Sequence, residues 1–452
     1  MSNKREEQYI RMTETPVQKL IIMLSVPTIL SMLITSIYNM ADTAFVGQLG
    51  TSASGAVGIV FGFMAIIQAI GFMFGQGSGS ILSRRLGQRD YEGASVVAST
   101  GFACAIFCGL IILLGGVIFL DPLVYLLGST DTIAPYARTY IIYILGASPF
   151  MIASFVMNNI LRYEGKAHLG TIGMMTGSLL NIAGDPILMF GCHMGIAGAG
   201  LSTALSQVIG FSILLFMFLS GRTQVKLSVS RIHISAELLG DICGTGMPSL
   251  IRQSLASLAT MILNQEAGVY GDAAVAAMSI VSRINMFVFS FSLGIGQGFQ
   301  PISAFNYGAG KYKRVKKAFI FTSIYAEIII CIMSAFVLWR AGGLIGIFRD
   351  DPEVIAIGTR ALRLQCATLI LLPITVTTEM MLQSTGHRLQ ASIMSSLKSG
   401  VIFIPVLVIL ATWRGLAGIQ EAQPLAYILN VPPAIYLMFW FFKRMPSEEN
   451  VT

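Results

Sequence analysis

Four oxygen-bearing side chains stand where apolar neighbours leave them little water. SLLNIAGDPILMF (178–190) carries Asn181 and Asp185, and YNMADTAFVG (38–47) carries Asp42. GAGLSTALSQ (198–207) carries Thr203. Asn181 and Asp185 are four residues apart, so on a helix they share a face. A charged Asp at the centre of a membrane helix costs about 2.5–3.5 kcal/mol, so such a group calls for a partner, a cation or a proton. Two carboxylates, an amide and a hydroxyl form an all-oxygen set that suits a hard cation such as Na⁺. The same pair would also hold a proton, because two like charges kept close are costly to ionise together. Sequence leaves both uses open.

Asp185-Pro186 admits two local readings. The helix ends at Asp185 and Pro186 leads into a loop, or the span continues through Ile187-Leu188-Met189-Phe190 and the proline breaks its hydrogen-bond ladder. The second gives the span its full length and exposes a backbone carbonyl at the break. Asp121-Pro122 and Asp351-Pro352 fall beside polar residues and read as turn chemistry.

The elements that must position these groups follow from composition. Of 452 residues, 54% are hydrophobic and 11% charged, against about 25% charged in soluble domains. Apolar stretches long enough for a hydrocarbon core about 30 Å thick recur throughout. The expected fold is an all-α integral membrane protein with twelve spans, near 17–40, 53–78, 93–119, 134–159, 168–190, 195–219, 239–265, 273–299, 316–339, 355–381, 389–411 and 417–442. No cleavable signal peptide is expected, because Arg5 and Arg11 mix with Glu6, Glu7 and Glu14 before an apolar run too long for one.

The net charge of +7 does not point to nucleic acid, because the basic residues are scattered through short connections. Arg84, Arg85 and Arg89, then Arg162 and Lys166, then Lys311 to Lys317 fall on one side of the expected spans. Asp121, Asp131, Asp272, Asp350, Asp351 and Glu353 fall on the other. The positive-inside rule places both termini in the cytoplasm of a multi-pass inner (plasma) membrane protein. Cys104, Cys108, Cys192, Cys243, Cys331 and Cys366 show no paired spacing and read as buried thiols.

The chain repeats itself. An offset of 221 lays Pro27 on Pro248, Gly75-Gln76-Gly77 on Gly296-Gln297-Gly298, Gly87 on Gly308 and Tyr91 on Tyr312. Residues 1–220 and 239–452 are expected to form two six-span lobes joined by a cytoplasmic linker, 221–238, and related by a pseudo-twofold axis along the membrane normal. Under the same offset Asp42, Asn181 and Asp185 meet Leu263, Ile402 and Val406, so the polar set is private to the first lobe. The second lobe carries Arg252, Glu266, Arg283, Glu379 and Lys398 within its spans. These either pair internally or, at Glu266 or Glu379, face a cavity that attracts cations. Tyr38, Asn158, Gln253, Glu266, Arg283 and Glu379 are the candidate substrate-cavity residues.

Several functions lack their signatures. GQGSGSILSRRLGQRD (75–90) closes an apolar helix and has no strand before it, so close helix packing explains its glycines better than a phosphate loop. There is no GxxxxGK[ST], HExxH or GxSxG pattern, which argues against ATP coupling and against an enzyme. No cofactor is expected.

Together VPTILSMLITSIYNMADTAFVGQLG, GQGSGSILSRRLGQRD, LNIAGDPILMFG and GIAGAGLSTALSQ resemble the multidrug and toxic compound extrusion family, most of all its bacterial drug-exporting branch. The resemblance implies a V-shaped two-lobe transporter that exports lipophilic organic cations in exchange for Na⁺ or H⁺ by alternating access. It implies a cation site at Asp42, Asn181, Asp185 and Thr203, with Glu266 as an acid that some branches carry in the second lobe. The expected partners are small organic cations and the bilayer, with no nucleic acid, and the chain is expected to act as a monomer. A lipid or lipid-linked oligosaccharide flippase of the same superfamily is the alternative, with Arg252 and Arg283 lining a pyrophosphate site.

Overall fold

The computed structural model describes residues 2–446, whose regular elements are all helices, with no strand among them. A surface helix, α1 (Ser2–Glu14), precedes α2 (Val17–Gly47), α3 (Thr51–Gly87), α4 (Tyr91–Ile118) and the short α5 (Leu120–Leu126). There follow α6 (Ala134–Tyr163), α7 (Ala167–Pro186), α8 (Ile196–Leu219), α9 (Ala236–Gly268), α10 (Asp272–Gly308) and α11 (Tyr312–Phe348). The chain finishes with α12 (Pro352–Leu369), α13 (Leu372–Ser384), α14 (Arg388–Ser396), α15 (Phe403–Arg414) and α16 (Leu416–Arg444).

Among the described residues, nine segments are long and apolar enough to cross a membrane, and α12 with α13 makes a tenth, bent by 55°. The less apolar α7 and α9, of 20 and 33 residues, are the helices at the other two of the twelve expected spans. The outward faces are oily. On α4, Phe107 is 64% exposed, Leu114 61% and Ile118 72%, an arrangement stable only where lipid replaces water.

Two compact units emerge. Among the described residues, one comprises 2–11 and 30–250, the other 12–29 and 251–446. Both α2 and α9 therefore change unit partway, close after Pro27 and Pro248. Ile251 follows Leu30 by 221 residues, the offset of the sequence repeat. Residues 221–238 pack on the first unit. The buried Glu164 carboxylate accepts the N–H groups of Gln224 at 3.0 Å and Val225 at 2.9 Å, with Lys166 at 3.5 Å. Burial raises the Glu164 carboxyl above its ordinary value, against the opposing pull of Lys166.

The duplicated glycines work as packing sites. A Cβ on Gly77 of α3 would lie 2.0 Å from the Ile242 carbonyl oxygen of α9, so the two backbones touch. In the other unit a Cβ on Gly298 of α10 would lie 2.6 Å from the Ser25 Cα of α2. Among the Asp-Pro pairs outside the spans, Asp351 caps α12, accepting the N–H groups of Glu353 and Val354. Asp121 sits in the first turn of α5 and pairs with Arg138 at 2.6 Å. The cysteines are all free, but only Cys366 is buried; Cys104, Cys108 and Cys243 are half-buried and Cys192 and Cys331 exposed, which corrects the expectation of buried thiols at those five. A thiol tolerates an outward-facing position because it is only weakly polar.

Candidate functional site

Within the first unit, Asp42 near the end of α2, Asn181 and Asp185 near the end of α7, and Thr203 on α8 converge. All four are almost wholly buried, with Asp185 at 0% and Asp42 at 1% exposure. Asn181 is the hub. Its Nδ2 donates to Asp185 Oδ1 at 3.2 Å and to Thr203 Oγ1 at 3.1 Å, with Ser202 Oγ at 3.5 Å. Ser202 Oγ in turn donates to the Asn181 carbonyl at 3.3 Å. Tyr140 of α6 donates to Asp42 Oδ2 over a long 3.5 Å and also meets Thr203. The carboxyl groups of Asp42 and Asp185 are direct neighbours.

Helix geometry explains the convergence. α7 runs through Asp185 to Pro186, and the next five residues, Ile187–Gly191, form a wider π-helical turn. Pro186 has no N–H to donate, so the regular ladder gives way there. Such widened turns are common at functional sites. The span therefore continues past the proline, as the second local reading held. Two glycines let α8 approach: a Cβ on Gly184 would lie 2.6 Å from Ser202 Oγ, and one on Gly198 would lie 2.7 Å from the Leu188 carbonyl carbon.

The site's chemistry lies in what it lacks. Asp42 Oδ1, Asp185 Oδ2 and Asn181 Oδ1 are buried acceptor atoms without a hydrogen-bond donor. Among the described residues no Lys or Arg pairs with either carboxylate. Buried acceptors are rarely left unsatisfied, and buried charges more rarely still. An all-oxygen set of this kind can take one hard cation or a proton. Among the described residues no group of three or more His, Cys, Asp and Glu is placed to hold a metal ion.

The substrate-cavity candidates are dispersed. Tyr38 is buried one turn before Asp42 and lies near both carboxylates, so it joins the first cluster. Asn158 of α6 is half-buried, its amide against Gly170. In the second unit Gln253 and Glu266 of α9 are half-buried, and Arg283 of α10 is exposed. Glu379 of α13 is fully enclosed. It accepts from Arg252 Nη1 at 2.7 Å, from Ser395 Oγ at 2.8 Å and from Lys398 Nζ. Lys398 sits in a second π-helical turn, Leu397–Val401. Internal pairing therefore describes Glu379, and it engages the Arg252 that a pyrophosphate lining would require.

Sequence reasoning did not single out Tyr140, Ser202 or Ser395. Serine hydroxyls are inconspicuous in membrane helices because they can bond to their own backbone. Only the adjacency of Ser202 to Thr203 could have drawn attention to one of them.

The family model MatE matches residues 27–187 and 248–409. The chain is 30% identical over 99% of both chains to the multidrug export protein MepA of Staphylococcus aureus (strain N315). It is 29% identical over 98% of both to the protein of that name from Staphylococcus saprophyticus. Its structure is similar to a multidrug resistance MATE family transporter of the MOP superfamily in an outward-facing conformation (TM-score 0.91, 26% identity, 98% and 99% of the two chains). It is also similar to a MOP superfamily transporter from Pyrococcus furiosus, described as having a binding pocket of reverse polarity (TM-score 0.90, 26% identity, 98% and 99%).

Proposed function

The chain belongs to the MatE family, and on that premise we propose that it is a multi-pass membrane antiporter exporting lipophilic organic cations against Na⁺ or H⁺. The observation that carries this reading is the set of three orphaned acceptor oxygens on Asp42, Asp185 and Asn181. An incoming cation or proton satisfies those oxygens in one conformation and leaves them in another. Coupling requires the ion and the drug to prefer different conformations, since a ligand with equal affinity for both shifts neither. The membrane potential adds about 2.3 kcal/mol per charge per 100 mV.

In this scheme an external cation enters between Asp42 and Asp185 and favours the state that releases drug. Its departure to the cytoplasm favours loading. Glu266, half-buried on α9, is the acid available to attract a cationic substrate in the second unit. Glu379 is not, because Arg252 and Lys398 already neutralise it. The chain acts as a monomer in the plasma membrane with both termini in the cytoplasm, needs no cofactor and performs no covalent chemistry.

Efflux of an ethidium-like dye from proteoliposomes, under sodium and pH gradients imposed separately, tests the proposal. Transport driven by one gradient and absent without either supports it. Gradient-independent transport refutes it, and binding of a lipid-linked pyrophosphate with no response to dye favours the flippase.

A further inference from the structure

The repeat supplies an internal control on one surface feature. Each copy passes from one long helix to the next through the same reversal of backbone. In the first, Arg89 takes φ of 63°, and the N–H groups of Gln88, Arg89, Asp90 and Tyr91 bond the carbonyls of Arg84, Leu86, Arg85 and Arg89. In the second, Gly310 takes φ of 72°, and those of Ala309, Gly310, Lys311 and Tyr312 bond Phe305, Tyr307, Asn306 and Gly310. The backbones correspond bond for bond.

Arg84, Arg85 and Arg89 make the first turn itself basic, but at the start of the helix that follows the charges of the two copies are opposite. In the first copy Asp90 opens α4, its Oδ1 accepts the Gly93 N–H at 2.8 Å, and Glu92 adds a second acid. That is the ordinary use of acids at the positive end of a helix. In the second copy Lys311 stands where Asp90 stood, and no side chain caps α11. Lys313, Arg314, Lys316 and Lys317 follow within the next six residues. Five cations at the positive end of a helix dipole repel it and one another, so the helix end itself does not favour them.

These residues build a groove of about 490 Å³, lined by Val17, Gly310, Lys311, Lys313, Arg314 and Lys317. Arg314 is fixed in place, its Nη2 donating to the carbonyls of Met12 at 3.4 Å and of Thr15, while its Nε is buried without an acceptor. Glu14 acts on the charge of Arg314. Among the described residues no carboxylate pairs with Lys311, Lys316 or Lys317. Close by, Lys316 lies over the Phe442 ring at 5.9 Å, and Arg444 lies over Trp440 at 4.8 Å. Aromatic and basic residues together at a span end mark headgroup depth.

We propose that this groove binds the phosphate headgroup of an anionic phospholipid, which supplies the negative charge that Asp90 supplies in the first copy. The lipid is favoured over a soluble anion because the cations open a membrane span and stand among interfacial aromatics. Polybasic segments beside a span attract anionic lipid by an increment per residue that amounts to roughly fivefold in affinity.

The test uses the full chain in nanodiscs and in detergent, with native mass spectrometry and melting temperatures. Wild type is expected to retain phosphatidylglycerol over phosphatidylcholine. The triple variant Lys311→Gln/Lys313→Gln/Lys317→Gln is expected to lose that preference by on the order of 100-fold. Lys311→Asp, which installs the first copy's own cap, is expected to weaken retention while keeping the wild-type melting temperature in purely zwitterionic nanodiscs. Equal retention of the two lipids by wild type overturns the proposal, as does undiminished preference in both variants. Stabilisation by inorganic phosphate alone, matching that by phosphatidylglycerol, also overturns it by assigning the groove to a soluble anion.

Discussion

Replacing Asp185 with Asn separates a functional acid from a structural one. The substitution keeps the side-chain shape and removes one of two neighbouring negative charges that no basic residue compensates. A carboxylate and a cation 4 Å apart attract by about 4 kcal/mol at an effective dielectric of 20. Losing that attraction lowers affinity for a bound cation by on the order of 1000-fold. The same change relieves a burial cost of about 2.5–3.5 kcal/mol, so stability is expected to hold or rise. Function and stability therefore move in opposite directions. Dye efflux from proteoliposomes under a sodium or pH gradient reads the first, and thermal unfolding in detergent reads the second. Efflux by Asp185→Asn at the wild-type rate, with the wild-type ion dependence, would refute the reasoning. A clear drop in melting temperature would refute it too, because it would make the acid a structural partner.

Asn181→Ala removes the donor that joins Asp185 to Thr203. Loss of a hydrogen bond to a charged group costs about 1.5–3 kcal/mol, so ten- to a hundredfold more ion should be needed for half-maximal efflux. Glu379→Gln leaves Arg252 and Lys398 buried without their counter-charge; unfolding measurements should show a loss of about 3–5 kcal/mol, partly recovered in Glu379→Gln/Lys398→Met. Gly77→Ala places a methyl 2.0 Å from the Ile242 oxygen and should destabilise by about 1–3 kcal/mol. Gly115→Ala on α4 meets nothing within 4 Å and should stabilise by about 0.5–1 kcal/mol. A Gly77→Ala protein as stable as wild type would show that α3 and α9 do not depend on backbone contact.

Much of the site was legible because lipid makes acids conspicuous. Asp42 and Asp185 could be read as partners at a sequence distance of 143 residues because each interrupts an apolar run at a similar depth. The duplication helped again, since Leu263, Ile402 and Val406 at the matching places removed a shared packing role. Tyr140 left no such mark, because a tyrosine within a membrane helix is ordinary and its reach toward Asp42 depends on how α6 is rotated.

Sequence by itself determined the twelve spans, the offset of 221 and the family, because hydropathy, helix length and repeated motifs are local properties of the chain. Tertiary structure decided which polar atoms find partners. Glu379 could equally have faced a cavity, and the rotations and π-helical turn that bring Lys398, Arg252 and Ser395 onto it involve residues up to 127 apart. The same packing leaves Asp42 and Asp185 without a counter-charge. Whether a buried charge is matched depends on the angles at which helices meet, and those angles are set by backbone contacts such as Gly77 on Ile242, which no single stretch of sequence contains.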